Sequence, residues 1–114
     1  VYIVMANNYV NVMTTLSTTN ATSVYTVPND KIAIVKTLSA YNVDASSAMT
    51  LTVQMTDTSE SATVTWDIES IAATTRKAFL TAGEVLVLDE ADIIKLTAST
   101  ANKFNIFMSI LETD

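Results

Sequence analysis

The chain reads as an all-β protein, an antiparallel sandwich, and three observations lead there. The stretch Met49-Thr50-Leu51-Thr52-Val53-Gln54-Met55-Thr56 alternates apolar and polar residues without a break. A period of two sets Met49, Leu51, Val53 and Met55 on one face of a strand and turns the polar residues to the other. Similar short runs rich in Val, Ile, Thr, Tyr and Phe recur along the chain, and those side chains suit a pleated surface. Between the runs stand clusters of Asn, Asp, Ser and Thr, which bond their own backbone and tolerate left-handed turns. One glycine (Gly83) and one proline (Pro28) leave nearly all the turning to them.

Taken in order, the alternation predicts strands over 9–16, 22–27, 31–41, 48–56, 62–68, 76–81, 84–88, 92–98 and 103–112. In the third, Lys36 interrupts the apolar set Ile32, Ile34, Leu38 and Ala40, which places it at a bulge or near a rim. In the fifth, Val64, Trp66 and Ile68 are expected on one face, with Asp67 and Glu69 turned to solvent. The ninth puts Phe104, Ile106, Met108 and Ile110 on one face, yet Phe107 and Leu111 make the opposite face apolar too. A strand apolar on both sides is central in a sandwich or lies at a subunit contact. Segment 67–78 has helical spacing at Ile68, Ile71 and Ala72, but its threonine pairs favour a loop with one helical turn at most. About eight strands at this spacing, without a sustained helix, predict a jelly-roll-like sandwich.

A length of 114 residues fits one domain: residues 1–16 as an N-terminal arm or first strand, 17–114 as the sandwich. Val1 in first place suggests a GTG start or a trimmed product, with Met5-Ala6-Asn7 the more ordinary opening. Hydrophobic residues make up 49% of the chain and charged ones 16%, against roughly 25% charged in an ordinary soluble domain. Too few charges to clothe a monomer suggests that apolar surface meets another chain. The net charge is −6, and the cations are scattered, with only Arg76-Lys77 adjacent. Phosphate backbones need clustered Lys and Arg, so nucleic acid is not an expected partner. The longest apolar runs, such as Val85-Leu86-Val87-Leu88, fall far short of a helical membrane span, so no membrane is expected either.

Histidine and cysteine are both absent. Nucleophilic catalysis through a Ser–His or Cys–His pair therefore lacks its base, and no thiolate metal site exists. No Ser-x-x-Lys spacing occurs, and one glycine cannot build a phosphate cradle. Asp89, Glu90 and Asp92 form the one acidic cluster, with Glu84 a strand away. It reads as a cation site or acid/base pair on one hand, and as a solvated turn that blunts edge pairing on the other. The second reading is preferred, because the alternating oxygen ligands and glycine of a calcium loop are missing. No enzyme, cofactor or metal is expected. Trp66 is assigned to the core in preference to a sugar-stacking surface. The five methionines read as adaptable core filler in preference to a binding groove.

The stretch Val24-Tyr25-Thr26-Val27-Pro28-Asn29-Asp30-Lys31-Ile32 resembles a recurrent pattern in small tailed-bacteriophage virion structural proteins. A Tyr-Thr-Val-Pro opening, a turn and a Lys-initiated strand lead to a closing Asn, here Asn42. A later stretch, 88–98 with Asp92 before Ile93-Ile94, and a final strand ending Ser109-Ile110-Leu111-Glu112 match too, so the likeness runs over 24–112. Two turns depart from the pattern: Asn29-Asp30 stands where Ala-Gly is common, and Ala91 where glycine is usual. The resemblance implies a capsid decoration (cement) or neck accessory protein on the virion exterior. Its partners would be itself, as a homotrimer, and the major capsid protein. Tyr2, Tyr9, Tyr25, Tyr41, Phe107 and Leu111 are the expected interface residues, with arm 1–16 reaching a neighbour. The rival readings are a neck, collar or tail-fibre attachment ring and, from another class, a carbohydrate-binding module stacking sugars on Trp66 and surface tyrosines.

Overall fold

A computed structural model describes residues 7–114. Nine strands appear in chain order: β1 (Asn7–Thr15), β2 (Thr22–Thr26), β3 (Ile32–Asn42), β4 (Met49–Asp57), β5 (Ala62–Ile71), β6 (Arg76–Ala78), β7 (Leu86–Leu88), β8 (Ile93–Ala98) and β9 (Phe104–Thr113). They form two antiparallel sheets. The first runs β1-β9-β3-β6, with β7 also on β3; the second runs β2-β8-β4-β5. β6 and β7 pair with opposite ends of β3 and act as one interrupted strand, through Ser39↔Ala78 and Ala33↔Leu88. Counted so, eight strands make two four-stranded sheets in jelly-roll order, the architecture that the hydrophobic rhythm predicts.

The core follows from that rhythm. β9 turns Phe104, Ile106, Met108 and Ile110 inward, all buried, and β3 adds Val35, Leu38 and Ala40. From the second sheet, Leu51, Val53, Ile94 and Leu96 meet them and are fully shielded from solvent. The two-sided strand of the sequence is thus β9, flanked on both edges by β1 and β3.

Bulges correct the simplest reading of alternation in two strands. In β3 the register with β9 shifts between Val35 and Thr37, leaving Lys36 as the extra residue with its ammonium exposed, as expected of a charge inside an apolar run. In β5, Val53 pairs with Asp67 and Gln54 with Thr65, so Trp66 is the extra residue. The faces exchange there. Ile68 pairs with Thr52 on the outside and is exposed, while Asp67 and Glu69 stand opposite the buried Val53 and Leu51. The expectation that Val64, Trp66 and Ile68 share a face, with both acids outward, is overturned by one inserted residue. Trp66 is half-buried and packs its ring against Phe79, centroids 6.5 Å apart.

The helical turn expected within 67–78 is also corrected. β5 continues to Ile71, which is buried, and a tight turn leads into β6. No helix occurs among the described residues, hence none long and apolar enough to cross a membrane.

Asn42 locks the corner between β3 and β4. Its buried side chain donates to the carbonyls of Ile71 (2.9 Å) and Ser47 (3.1 Å) and accepts from the Asp44 N–H (2.9 Å). Three bonds from one amide satisfy a loop that has neither glycine nor proline to shape it.

Candidate functional site

The surface with unexplained chemistry is the outer face of the first sheet. Side chains on directly paired residues point the same way, so the register builds rows across the strands. Tyr9, Leu111, Ile34 and Val87 form one such row over four strands. Met13 and Phe107 begin a second, continued by Ser39 and Ala78. Between them lie Asn11, Ser109 and Thr37, uncharged and small. Tyr9 is 78% exposed, Met13 69%, Val87 65% and Phe107 40%. Together with Ile32 these are five of the nine large exposed hydrophobics among the described residues, so the exposed apolar side chains concentrate on this face. A shallow hollow of about 230 Å³ opens between Met13 and Phe107.

Four of the expected interface residues, Tyr9, Tyr41, Phe107 and Leu111, share this face. Tyr2 lies outside the described residues. Tyr25 does not belong with them. It is 9% exposed, stands opposite Ile94 on the inner side of β2, and donates its hydroxyl to Glu112 at 2.6 Å. Burial, reinforced by that carboxylate, pushes its phenol well above the ordinary tyrosine range. Glu112 in turn accepts from Asn8 at 3.4 Å, so one buried carboxylate ties both sheets together. The signal that separates Tyr25 was present in the alternation, since a glutamate stood where the inner face of β9 would otherwise be apolar.

Of the two readings of 1–16, an arm or a first strand, the described part is a strand. Asn7–Thr15 pairs along its whole length with β9 of its own chain, and Leu16 is buried in the core. It is an edge strand, with one side of its backbone unpaired among the described residues.

The acidic turn is built from the capping needs of its own backbone. Asp92 accepts from the Asp89 N–H at 3.0 Å, Asp89 from the Glu90 N–H at 2.9 Å, and Glu90 from the Asp30 N–H at 2.7 Å. Ala91 (φ 67°) and Asp30 (φ 61°) hold left-handed backbone, at the two positions where the resembled pattern has glycine. Beside this turn, two contiguous hollows of about 330 and 310 Å³ follow the open side of the sandwich, sharing Leu88 and Asp92. Met55, Val64 and Leu88 give the first an apolar floor, while Asp57, Glu60 and Asp92 rim it. Among the described residues, no set of three or more acidic side chains converges as a metal would require.

At the opposite end, Lys103 pairs with Asp44 at 2.9 Å. The Lys103 ammonium, joined by the Ser46 and Ser47 N–H groups, holds the Asp44 carboxyl down to about 2. The sugar-stacking residues do not converge. Trp66 sits on β5 in the second sheet, Tyr9 and Tyr41 lie on the first sheet's outer face, and Tyr25 is buried.

No protein-family model matches the chain, and no curated protein matches it. Among solved structures it is similar to a chain from Bacillus endospore appendages, described as a novel family of disulfide-linked pili. The TM-score is 0.52 at 13% identity, over 95% of this chain and 86% of that one. The likeness is one of fold.

Proposed function

We propose that the protein is a non-enzymatic structural subunit of a larger particle, acting as a decoration (cement) protein on the exterior of a phage head. The observation that carries this reading is the apolar outer face of the first sheet. Burying a fully exposed large side chain contributes roughly 1.5–3 kcal/mol, so covering these five, already partly buried, supplies roughly 4–9 kcal/mol gross. Association costs about 4–15 kcal/mol in lost freedom. One such contact is therefore marginal, and a subunit held at several places at once, in a homotrimer seated on the major capsid protein, gains by avidity. The resemblance over residues 24–112 directs the proposal to tailed-phage virions, with a neck or collar ring as the variant of lower copy number.

A second reading, a filament subunit, is favoured by the similarity in fold to the appendage chain. This chain has no cysteine, so any filament it forms is held without disulfides. Densitometry of purified particles tests both readings. Hundreds of copies per head are expected for cement, and a dozen for a neck ring. Recovery only in filaments favours the second reading, and absence from any particle refutes the proposal.

A further inference from the structure

We infer that copies of this chain stack end to end, the apolar groove beside Leu88 receiving Arg76 of a second copy. This rests on the assembly reading above and adds the partner and polarity of a second contact.

Charge is distributed unevenly between the two ends of the sandwich. Asp57, Glu60, Asp89, Glu90 and Asp92 all sit where β4, β7 and β8 meet the loops at one end of the sandwich. None of the five pairs with a lysine or arginine among the described residues; the ion pairs there are Lys31–Asp114, Lys77–Glu69 and Lys103–Asp44. Arg76 and Lys77 stand at the other end, where β6 meets Tyr41 and Ala40. An eleven-residue β3 separates the ends by roughly 30 Å. Arg76 is exposed and has no ion pair among the described residues, and Lys77 reaches Glu69 only at 3.8 Å across solvent. One end of each molecule thus carries uncompensated negative charge around an apolar floor, and the other presents Arg76 on the face of Tyr41, without an ion pair among the described residues.

The groove suits such a side chain better than a hydrated ion. Its floor of Met55, Val64 and Leu88 is greasy, and arginine or lysine lays its aliphatic stem on such a surface while its head reaches a carboxylate rim. The contact is head to tail, hence heterologous: repetition generates an open stack or, where the rotation closes, a ring. Net charge of −6 opposes random contact between copies, and the two unlike ends select one orientation.

The test is a charge exchange in the full chain, read by light scattering. Asp57→Asn/Glu60→Lys neutralises the groove rim while keeping at position 57 a side-chain oxygen to accept from the Ser59 hydroxyl (2.8 Å) and the residue 60 N–H (3.3 Å), and Arg76→Glu reverses the charge that enters it. Each variant alone is expected to lose association about tenfold or more at low salt, with an unchanged melting temperature. Mixed together they regain a one-to-one contact, because the groove variant keeps Arg76 and the Arg76→Glu variant keeps the acidic groove. Wild-type association should fall at least tenfold between about 50 and about 500 mM salt. Variants that associate like wild type, a mixture that stays apart, a wild type monomeric throughout, or calcium uptake without self-association would each overturn the inference. Tyr9→Lys/Met13→Lys, measured in parallel, separates this failure from that of the assembly reading. If it alone loses particle binding, the outer face stands and the end contact falls; if no variant loses anything, both fall.

Discussion

The two outer faces of this sandwich were built by the same alternation and came out chemically different. On the second sheet the outward positions of β4 are Thr50, Thr52, Gln54 and Thr56, met by Thr63, Thr65, Ile68 and Ser70 on β5 and Ile93, Lys95 and Thr97 on β8, with Ile68 the one large exposed hydrophobic among them. Their polar groups satisfy one another, Thr56 with Thr63 at 2.8 Å and Gln54 with Thr65 at 3.3 Å. On the first sheet the same outward positions hold Tyr9, Met13, Ile34, Phe107 and Leu111. Neither face carries a carboxylate among the described residues, so charge does not distinguish them. Apolarity does. A face of threonine is complete when wet, whereas a face of aromatic and aliphatic residues gains free energy when covered.

The sharpest way to break that contrast is to put cations on both faces. Tyr9→Lys/Met13→Lys, at exposed positions of an edge strand, should abolish particle binding in a sedimentation assay without moving the melting temperature. Thr52→Lys/Thr97→Lys on the threonine face should leave binding within twofold of wild type. Equal loss from both variants would mean that the faces are equivalent.

A smaller effect separates outer from inner tyrosines. Tyr25→Phe removes a hydrogen bond to a buried carboxylate and should cost about 2 kcal/mol in urea unfolding, with particle binding intact. Because the folded phenol's pKa is raised, this contribution is present below about pH 10 and fades as pH climbs toward the folded value. A Tyr25→Phe variant with normal stability and weakened assembly would return Tyr25 to the contact surface.

The turns give a third comparison. Ala91 holds left-handed backbone that Gly83 accepts without strain, so Ala91→Gly should raise stability by about 1 kcal/mol. Destabilisation would mean that the Cβ of Ala91 does more than its backbone suggests. The smallest effect is at the far end. The folded carboxyl of Asp44 titrates at about 2, below the roughly 3.9 of an unfolded aspartate, so its contribution is whole above pH 4 and lost as pH falls through 2. The stability gap between wild type and Asp44→Asn should therefore close over that window. A gap constant down to pH 2 would remove the Lys103 contact from the account.

Much of the candidate surface was legible before any coordinates. Phe107 and Leu111 betrayed a second apolar face on β9, and pairing carried it to Tyr9 on β1 and Tyr41 on β3. Ile34 reads as sharing a face with Leu38 and Ala40, but the bulge at Lys36 turns it outward, and Val87 lies in an apolar run that looks like core until its partner strand is known. Tyr25 is the converse case: a tyrosine suits either side of a sheet, and although Glu112 interrupts the apolar inner face of β9, its meeting with Tyr25, 87 residues away, is set only by the fold.

Strand existence, turn positions and the layered class are local matters, and a two-residue rhythm between Asn, Asp, Ser and Thr clusters suffices for them because pleating is a property of neighbours along the chain. Which side of each strand faces in is not local. A single extra residue at Trp66 exchanges the faces of the rest of β5, and only pairing with β4 reveals it. The same holds for the gathering of acids at one end and Arg76-Lys77 at the other, since distant segments meet there only once both sheets have closed over a common core.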